Sequence, residues 1–99
     1  MNGRVVHCKR ESYDIYIGRP SILGNPYSHK PYAHAELVPT REEAIEAFRQ
    51  YAVKRMKNDP EFAEAIWACA GKVLGCWCAP QPCHGEVILE LAEGTGGGK

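Results

Sequence analysis

The short run KVLGCW, at residues 72–77, constrains the fold more than any other feature of the sequence. From Val73 onward the run is apolar at consecutive positions, and helix signals stand before and after it. A strand that is apolar on both faces needs cover on both faces, as the strands of parallel sheets with flanking helices have. The run therefore predicts a buried central strand in a small α/β domain.

Two further strands are predicted near the start of the chain. Residues 3–8 (GRVVHC) and 13–17 (YDIYI) are rich in β-branched and aromatic side chains. Residues 18–39 follow, and their repeated proline and glycine residues predict a long irregular loop. The tyrosine and histidine side chains of this loop predict that it packs against the domain: Tyr27, His29, Tyr32 and His34.

Three helices are predicted after the loop. Thr40 and Glu43 form a capping box, and Asp59 with the following proline begins a second helix. The third helix is HGEVILELAE, which starts at His84. The sequence thus predicts one α/β domain over residues 1–93, a small sheet with three flanking helices. Residues 94–99 are predicted to be a flexible glycine-rich tail.

Charge and hydropathy exclude some classes of function. Twelve basic and twelve acidic residues give the 99-residue chain a formal net charge of zero, so generic nucleic-acid binding through bulk charge is disfavoured. There is no apolar run of membrane-spanning length, and the first ten residues lack the apolar stretch of a signal peptide. We therefore expect a cytoplasmic protein with no membrane partner. The sequence does not indicate its oligomeric state.

The segment CWCAPQPCH, at residues 76–84, is the candidate functional site. The chain has five cysteines, an odd number, and the expected compartment is reducing, so a disulfide framework is disfavoured. Alternation along a strand places Cys76 and Cys78 on one face, and Cys83 stands where the last helix begins. Ligands of open α/β sheets collect at the carboxyl ends of strands, so the site is predicted at that end of the central strand.

The first interpretation of this segment is a metal site formed by Cys8, Cys76, Cys78 and Cys83. His84 or His7 could take the place of Cys8 as the fourth ligand. Thiolate and imidazole ligands suit zinc, and an iron–sulfur cluster is the second choice. The spacing C-x-C-x4-C-H is not a common zinc-finger spacing.

The second interpretation is thiol catalysis, with Cys83 as a nucleophile at a helix start and His84, His7 or a histidine of the loop as its base. The structural alternative treats the cysteines as small buried apolar residues. That alternative is preferred for Cys69, which falls on the apolar face of the second helix.

Three polar residues are candidates for binding a small anionic or nucleotide-like ligand. Arg10 shares a strand face with Cys8, while Arg19 and Asn25 stand in the glycine-containing segment after the second strand. Guanidinium groups bind phosphate and carboxylate through paired hydrogen bonds. The structural alternatives are a solvated strand end for Arg10 and a capped turn for Asn25.

The stretches VVHCKRESYDIYIGRPSILGNPY and GKVLGCWCAPQPCHGEVILELA closely resemble the family called domain of unknown function 4326. The resemblance covers nearly the whole chain, residues 4–92. The family occurs in bacteriophage and bacterial genomes, and its activity is not established. The resemblance implies that the two stretches contribute to one site and that the compartment is the cytoplasm of a bacterial host. A module that binds a host factor, with structural cysteines, is a third functional class.

Overall fold

The computed structural model describes residues 3–19, 21–31, 35–79 and 81–94. These residues form a single α/β unit with two small sheets and three α-helices. In chain order the elements are β1 (Arg4–His7), β2 (Ile15–Tyr16), β3 (Tyr27–Ser28), β4 (Glu36–Leu37), α1 (Arg41–Asn58), α2 (Pro60–Trp67), β5 (Val73–Cys76) and α3 (His84–Leu89).

The main sheet has the order β1-β5-β2, and β5 pairs in parallel with both neighbours. The register sets His7 of β1 beside Cys76 of β5, and Tyr16 of β2 beside Gly75. The predicted central strand is confirmed. Since all three strands run the same way, their carboxyl ends meet at one edge of the sheet, called here the carboxyl edge.

The predicted caps position the helices. The Thr40 Oγ1 accepts a hydrogen bond from the Glu43 amide at 3.1 Å, which begins α1. Asp59 ends α1 through its amide and begins α2 by accepting from the Phe62 amide at 3.2 Å. Pro60 occupies the first position of α2, where a missing N–H costs nothing.

The core lies between the helices and the main sheet. It contains fully buried side chains from every layer, including Phe48, Phe62, Ile66, Leu74 and Ile88. The helix α3 lies close to the sheet at Gly85, where an added Cβ would meet Ile17 Cδ1 at 2.7 Å and Val5 Cγ2 at 2.8 Å. A glycine is therefore required for α3 to pack at this distance.

Three details differ from the sequence predictions. The predicted irregular loop contains β3 and β4, which pair in parallel with Tyr27 beside Glu36. The second helix, which the sequence pattern predicts to close at Gly71, ends at Trp67, and Gly71, at φ 74°, forms the turn that leads into β5. The last helix continues beyond Leu89 as a π-helix over Glu90–Gly94. Tyr32, His34 and residues 95–99 of the predicted tail lie outside the described residues.

None of the helices in the described ranges combines the length and the apolar character that crossing a membrane requires.

Glu93 joins the two ends of the domain at the edge opposite the carboxyl edge. Its Oε2 accepts hydrogen bonds from the Gly3 amide at 2.7 Å and from the Gly71 amide at 2.8 Å. These two bonds lower the pKa of Glu93 below its ordinary value of 4.5. The ionised carboxylate therefore holds the start of β1 and the turn before β5 together.

We expect Glu93→Gln to lower the melting temperature at pH 7, because the charge that strengthens both hydrogen bonds is lost. A depressed folded-state pKa contributes stability above the unfolded-state pKa and loses it as the pH falls through the folded-state value. The difference between wild type and variant should therefore shrink below pH 4.5. Melting curves followed by circular dichroism from pH 7 to pH 3 measure this difference in melting temperature. A difference that does not change with pH would contradict the proposed role of the charge.

Candidate functional site

Three cysteine thiols converge at the carboxyl edge. Cys76 ends β5, Cys78 follows two residues later, and Cys83 is the N-cap of α3. Their Sγ atoms all lie within 4.8 Å of one another, and those of Cys76 and Cys83 are 2.9 Å apart. Cys76 and Cys83 are buried, whereas Cys78 is half-buried. This group is called here the three-thiol group.

Backbone hydrogen bonds hold the three-thiol group in place. The Cys76 Sγ accepts from the Cys78 amide at 3.2 Å, and the Cys83 Sγ accepts from the Gly85 amide at 3.2 Å. A turn closes between them, where the Gln81 amide donates to the Cys78 carbonyl at 2.8 Å. The strand end, the turn and the helix cap therefore each orient one sulfur toward the other two.

Mutual hydrogen bonds shift the pKa values of the three thiols in different directions. The pKa of Cys78 is lowered by hydrogen bonds from Cys76 and Cys83 and, further, by Arg41. The pKa of Cys76 is raised because its thiol donates to Cys78, and that of Cys83 is raised by Cys76, by Cys78 and by burial. Of the three thiols, Cys78 therefore loses its proton most readily, and it is also the least buried of them.

His84 is buried beside the three-thiol group but is not part of it. Its Nε2 lies 3.0 Å from the carbonyl oxygens of both Ile17 and Leu23. Since both neighbours are acceptors, Nε2 carries the proton and donates. Burial lowers the pKa of His84, so the ring is neutral and its Nδ1, 3.6 Å from the Cys83 Sγ, is an acceptor. The Phe48 ring packs edge-on against it at 4.9 Å.

A cavity of about 730 Å³ opens above the three-thiol group. Its walls come from the segment after β2, from the first turns of α1 and from the turn before α3. Three cations line it, Arg19, Lys30 and Arg41, and no carboxylate does among the residues the structure describes. A chain of zero net charge thus has a cavity whose described arginine and lysine side chains have no carboxylate beside them on the wall.

Arg41 is a site residue that the sequence did not reveal. It is the first residue of α1, its Nη1 donates to the Pro82 carbonyl at 3.4 Å, and it helps to lower the pKa of Cys78. In the sequence Arg41 stands inside the capping box TREE, where nothing distinguishes it from an ordinary surface residue. Only the packing of α1 against the cysteine turn identifies it.

Arg19 and Asn25, predicted ligand residues, both line the cavity. The Asn25 side chain also anchors the loop, since Nδ2 donates to the Ala44 carbonyl at 3.1 Å and Oδ1 accepts from the Tyr27 amide at 2.9 Å. Arg19 Nη1 donates to the Asn25 carbonyl at 2.6 Å. The loop is therefore tied to α1 by the same residues that form the cavity wall.

Cys8 and Arg10, the other predicted site residues, are placed differently. The Cys8 amide donates to the Cys76 carbonyl at 2.9 Å and so extends the sheet pairing. Its Sγ is not among the thiols that lie within 4.8 Å of one another in the described part of the chain. Arg10 is exposed in the turn after β1 and is not one of the described residues that line the cavity.

The fold and the site together define a small α/β domain with a three-cysteine group that could hold a metal ion, placed under a cationic cavity. Comparison with known families identifies the group to which the chain belongs. The family model described as "Domain of unknown function (DUF4326)" matches residues 4–94, and the chain is a member of that family. This confirms the resemblance drawn from the two sequence stretches.

A phage protein is similar to this chain. It is the "Uncharacterized 12.4 kDa protein in nrdA-td intergenic region" of Enterobacteria phage T4, 33% identical over 88 residues. The match covers 89% of this chain and 75% of the phage protein. No solved structure matches the chain significantly.

We expect Asn25→Ala to destabilise the domain by about 1–3 kcal/mol, because a buried donor and acceptor lose their partner. Chemical denaturation measures the change in the free energy of unfolding. Ser21→Ala is a control, since this buried hydroxyl has no hydrogen-bond partner among the described residues and the loss of stability should be small. Unchanged stability in Asn25→Ala would mean that the loop does not depend on the amide.

Proposed function

We propose that the domain binds a zinc ion through Cys76, Cys78 and Cys83 and holds a small anionic ligand in the cavity beside it. The observation that carries the proposal is the convergence of three thiols beneath a cavity whose charged walls are cationic. Both features lie at the carboxyl edge of a parallel sheet, where such folds bind their ligands.

The spacing of the thiols is compatible with a metal. Zinc–thiolate bonds of about 2.3 Å in a tetrahedral arrangement separate the sulfurs by about 3.8 Å. The three Sγ atoms lie within 4.8 Å of one another, so only small side-chain shifts are needed. The 2.9 Å contact between Cys76 and Cys83 would open to that spacing when both thiols lose their protons.

Three protein ligands favour a zinc ion with an open position. Structural zinc sites have four protein ligands, whereas sites that act on a ligand have three and leave the fourth position to water or substrate. Zinc at such a position polarises a bound oxygen and lowers the pKa of bound water. An iron–sulfur cluster is less favoured because cubane and rhombic clusters are usually held by four cysteines.

The cavity residues supply the anion site. Arg41 lines the cavity and lowers the pKa of Cys78, so its positive charge serves both a bound anion and the thiolate. Lys30 is exposed at the cavity wall, and Arg19 is held by loop carbonyls. Cations without neighbouring carboxylates attract phosphate or carboxylate groups. This electrostatic attraction becomes stronger as water is excluded from the cavity.

We expect protein purified under reducing conditions to contain about one zinc per chain by elemental analysis, as a single tetrahedral site requires. Cys76→Ser, Cys78→Ser and Cys83→Ser should each reduce the bound zinc to a small fraction of that amount. Cys8→Ser is the matched control, because its thiol lies outside the three-thiol group and the zinc content should not change.

Metal-free wild-type protein that takes up no zinc from a buffered zinc solution, while remaining folded by circular dichroism, would contradict the metal proposal. Equal loss of zinc in Cys8→Ser would instead show that the first strand supplies a fourth thiolate.

A second candidate function, thiol chemistry, is favoured by the thiolate on Cys78. This residue is half-buried on the cavity wall and its pKa is lowered, whereas Cys83 is buried and its pKa is raised. A nucleophilic role for a thiol in this domain is therefore better supported at Cys78 than at Cys83. The neighbouring thiols and Arg41 would stabilise the reactive form.

For the reduced, metal-free protein we expect iodoacetamide to alkylate Cys78 at pH 6 much faster than it alkylates glutathione. An ordinary thiol loses about tenfold in thiolate for each pH unit below its pKa of about 8.5. Peptide mass spectrometry at timed intervals locates the label, and Cys76→Ala should slow the labelling, because the hydrogen bond from Cys76 is the largest cause of the lowered pKa of Cys78. Labelling of Cys78 no faster than that of glutathione would exclude the thiolate.

A further inference from the structure

Trp77 is an exposed aromatic ring that is nevertheless held in one orientation. It directly follows β5, and 55% of its surface is accessible. Its Nε1 donates to the Tyr16 hydroxyl at 2.8 Å, and the His7 ring meets it edge-on at 5.8 Å. A large apolar ring that is fixed yet left open to solvent is suited to stacking on a flat ligand.

Trp77 is also a residue of the cavity wall. Trp77 lines the cavity together with the cations Arg41 and Lys30. The Lys9 ammonium lies over the indole at 5.4 Å from its centre but is not among the described residues that line the cavity. Because 55% of the Trp77 surface is accessible, ring area remains open to a ligand beside the Lys9 contact.

The cavity has the size and the polar groups for more than a simple anion. Its volume of about 730 Å³ falls within the range of about 300–1,000 Å³ that encloses a small organic ligand. Besides the aromatic and cationic positions, the walls carry the side chains of Ser28, His29 and Gln81, which can bond to sugar hydroxyls. An aromatic platform, polar groups and cations are thus arranged around one space.

We propose that the ligand is a nucleoside phosphate, whose base stacks on Trp77 while its phosphate binds Arg41 and Lys30. This inference rests on the proposed anionic pocket and names its substrate class. A free phosphate would use only the cations and a sugar phosphate the cations and the polar groups, so both would leave the indole unused.

The test compares four nucleoside monophosphates with ribose 5-phosphate and inorganic phosphate, titrated into zinc-loaded protein by calorimetry. Stacking of one base contributes about 1–3 kcal/mol. At 1.4 kcal/mol per tenfold, at least one nucleotide should therefore bind roughly 5–150-fold more tightly than ribose 5-phosphate. Trp77→Leu should abolish that difference and leave ribose 5-phosphate binding unchanged, whereas Trp77→Phe should restore part of it.

The second tryptophan of the chain provides a spectroscopic control. Trp67 lies on α2 and does not line the cavity, so Trp67→Phe leaves Trp77 as the single emitting tryptophan. Its fluorescence should be quenched by the nucleotide that binds and not by ribose 5-phosphate.

Three outcomes separate the inference from the proposed function. Preferential nucleotide binding that requires Trp77 supports both. Equal binding of nucleotide and ribose 5-phosphate, weakened alike by Arg41→Gln, overturns the nucleotide and keeps the anion pocket. Binding of no phosphate compound at millimolar concentration overturns both the nucleotide and the anion pocket, while the zinc content of the same preparation still decides the metal site.

Discussion

The parallel pairing of β5 with both of its neighbours is the constraint on which the rest of the structure depends. Because the three strands run in one direction, the last residue of each reaches the same edge, and Cys76 arrives there between the ends of β1 and β2. The chain must then return through a helix to cover the sheet, so Cys83 is brought back over the strand end. The convergence of the thiols is thus a result of topology, and the short turn between Cys78 and Cys83 only adjusts it.

His84 and Gly85 set the distance between α3 and the main sheet. The histidine donates toward two carbonyls of the loop after β2, and the glycine permits contact with Val5 and Ile17 on the sheet. Because the His84 ring is buried, neutral and in a single tautomer, it links the start of α3 to the loop after β2 without introducing a charge. The position of the sulfur on Cys83 is therefore set by residues that belong to the core, and the site is as rigid as the packing around it.

Much of this could be predicted from the sequence, and the reasons for the failures are physical. The central strand, the helix caps at Thr40 and Asp59 and the cysteine-rich turn depend on local patterns, and local patterns are visible in one chain. The β3–β4 pair and Arg41 depend on where distant segments pack, and no spacing in the sequence encodes that contact. The π-helical end after Leu89 likewise has no marker, because its residues have ordinary helix propensity.

The hydrogen bonds of Glu93 bring the first and last described parts of the chain together. Gly3 and Glu93 meet at the amino edge of the main sheet, whereas the cavity opens at the carboxyl edge. The described chain therefore begins and ends on the side remote from the thiols. Ends that lie close together are the arrangement found in domains that tolerate insertion into a host protein.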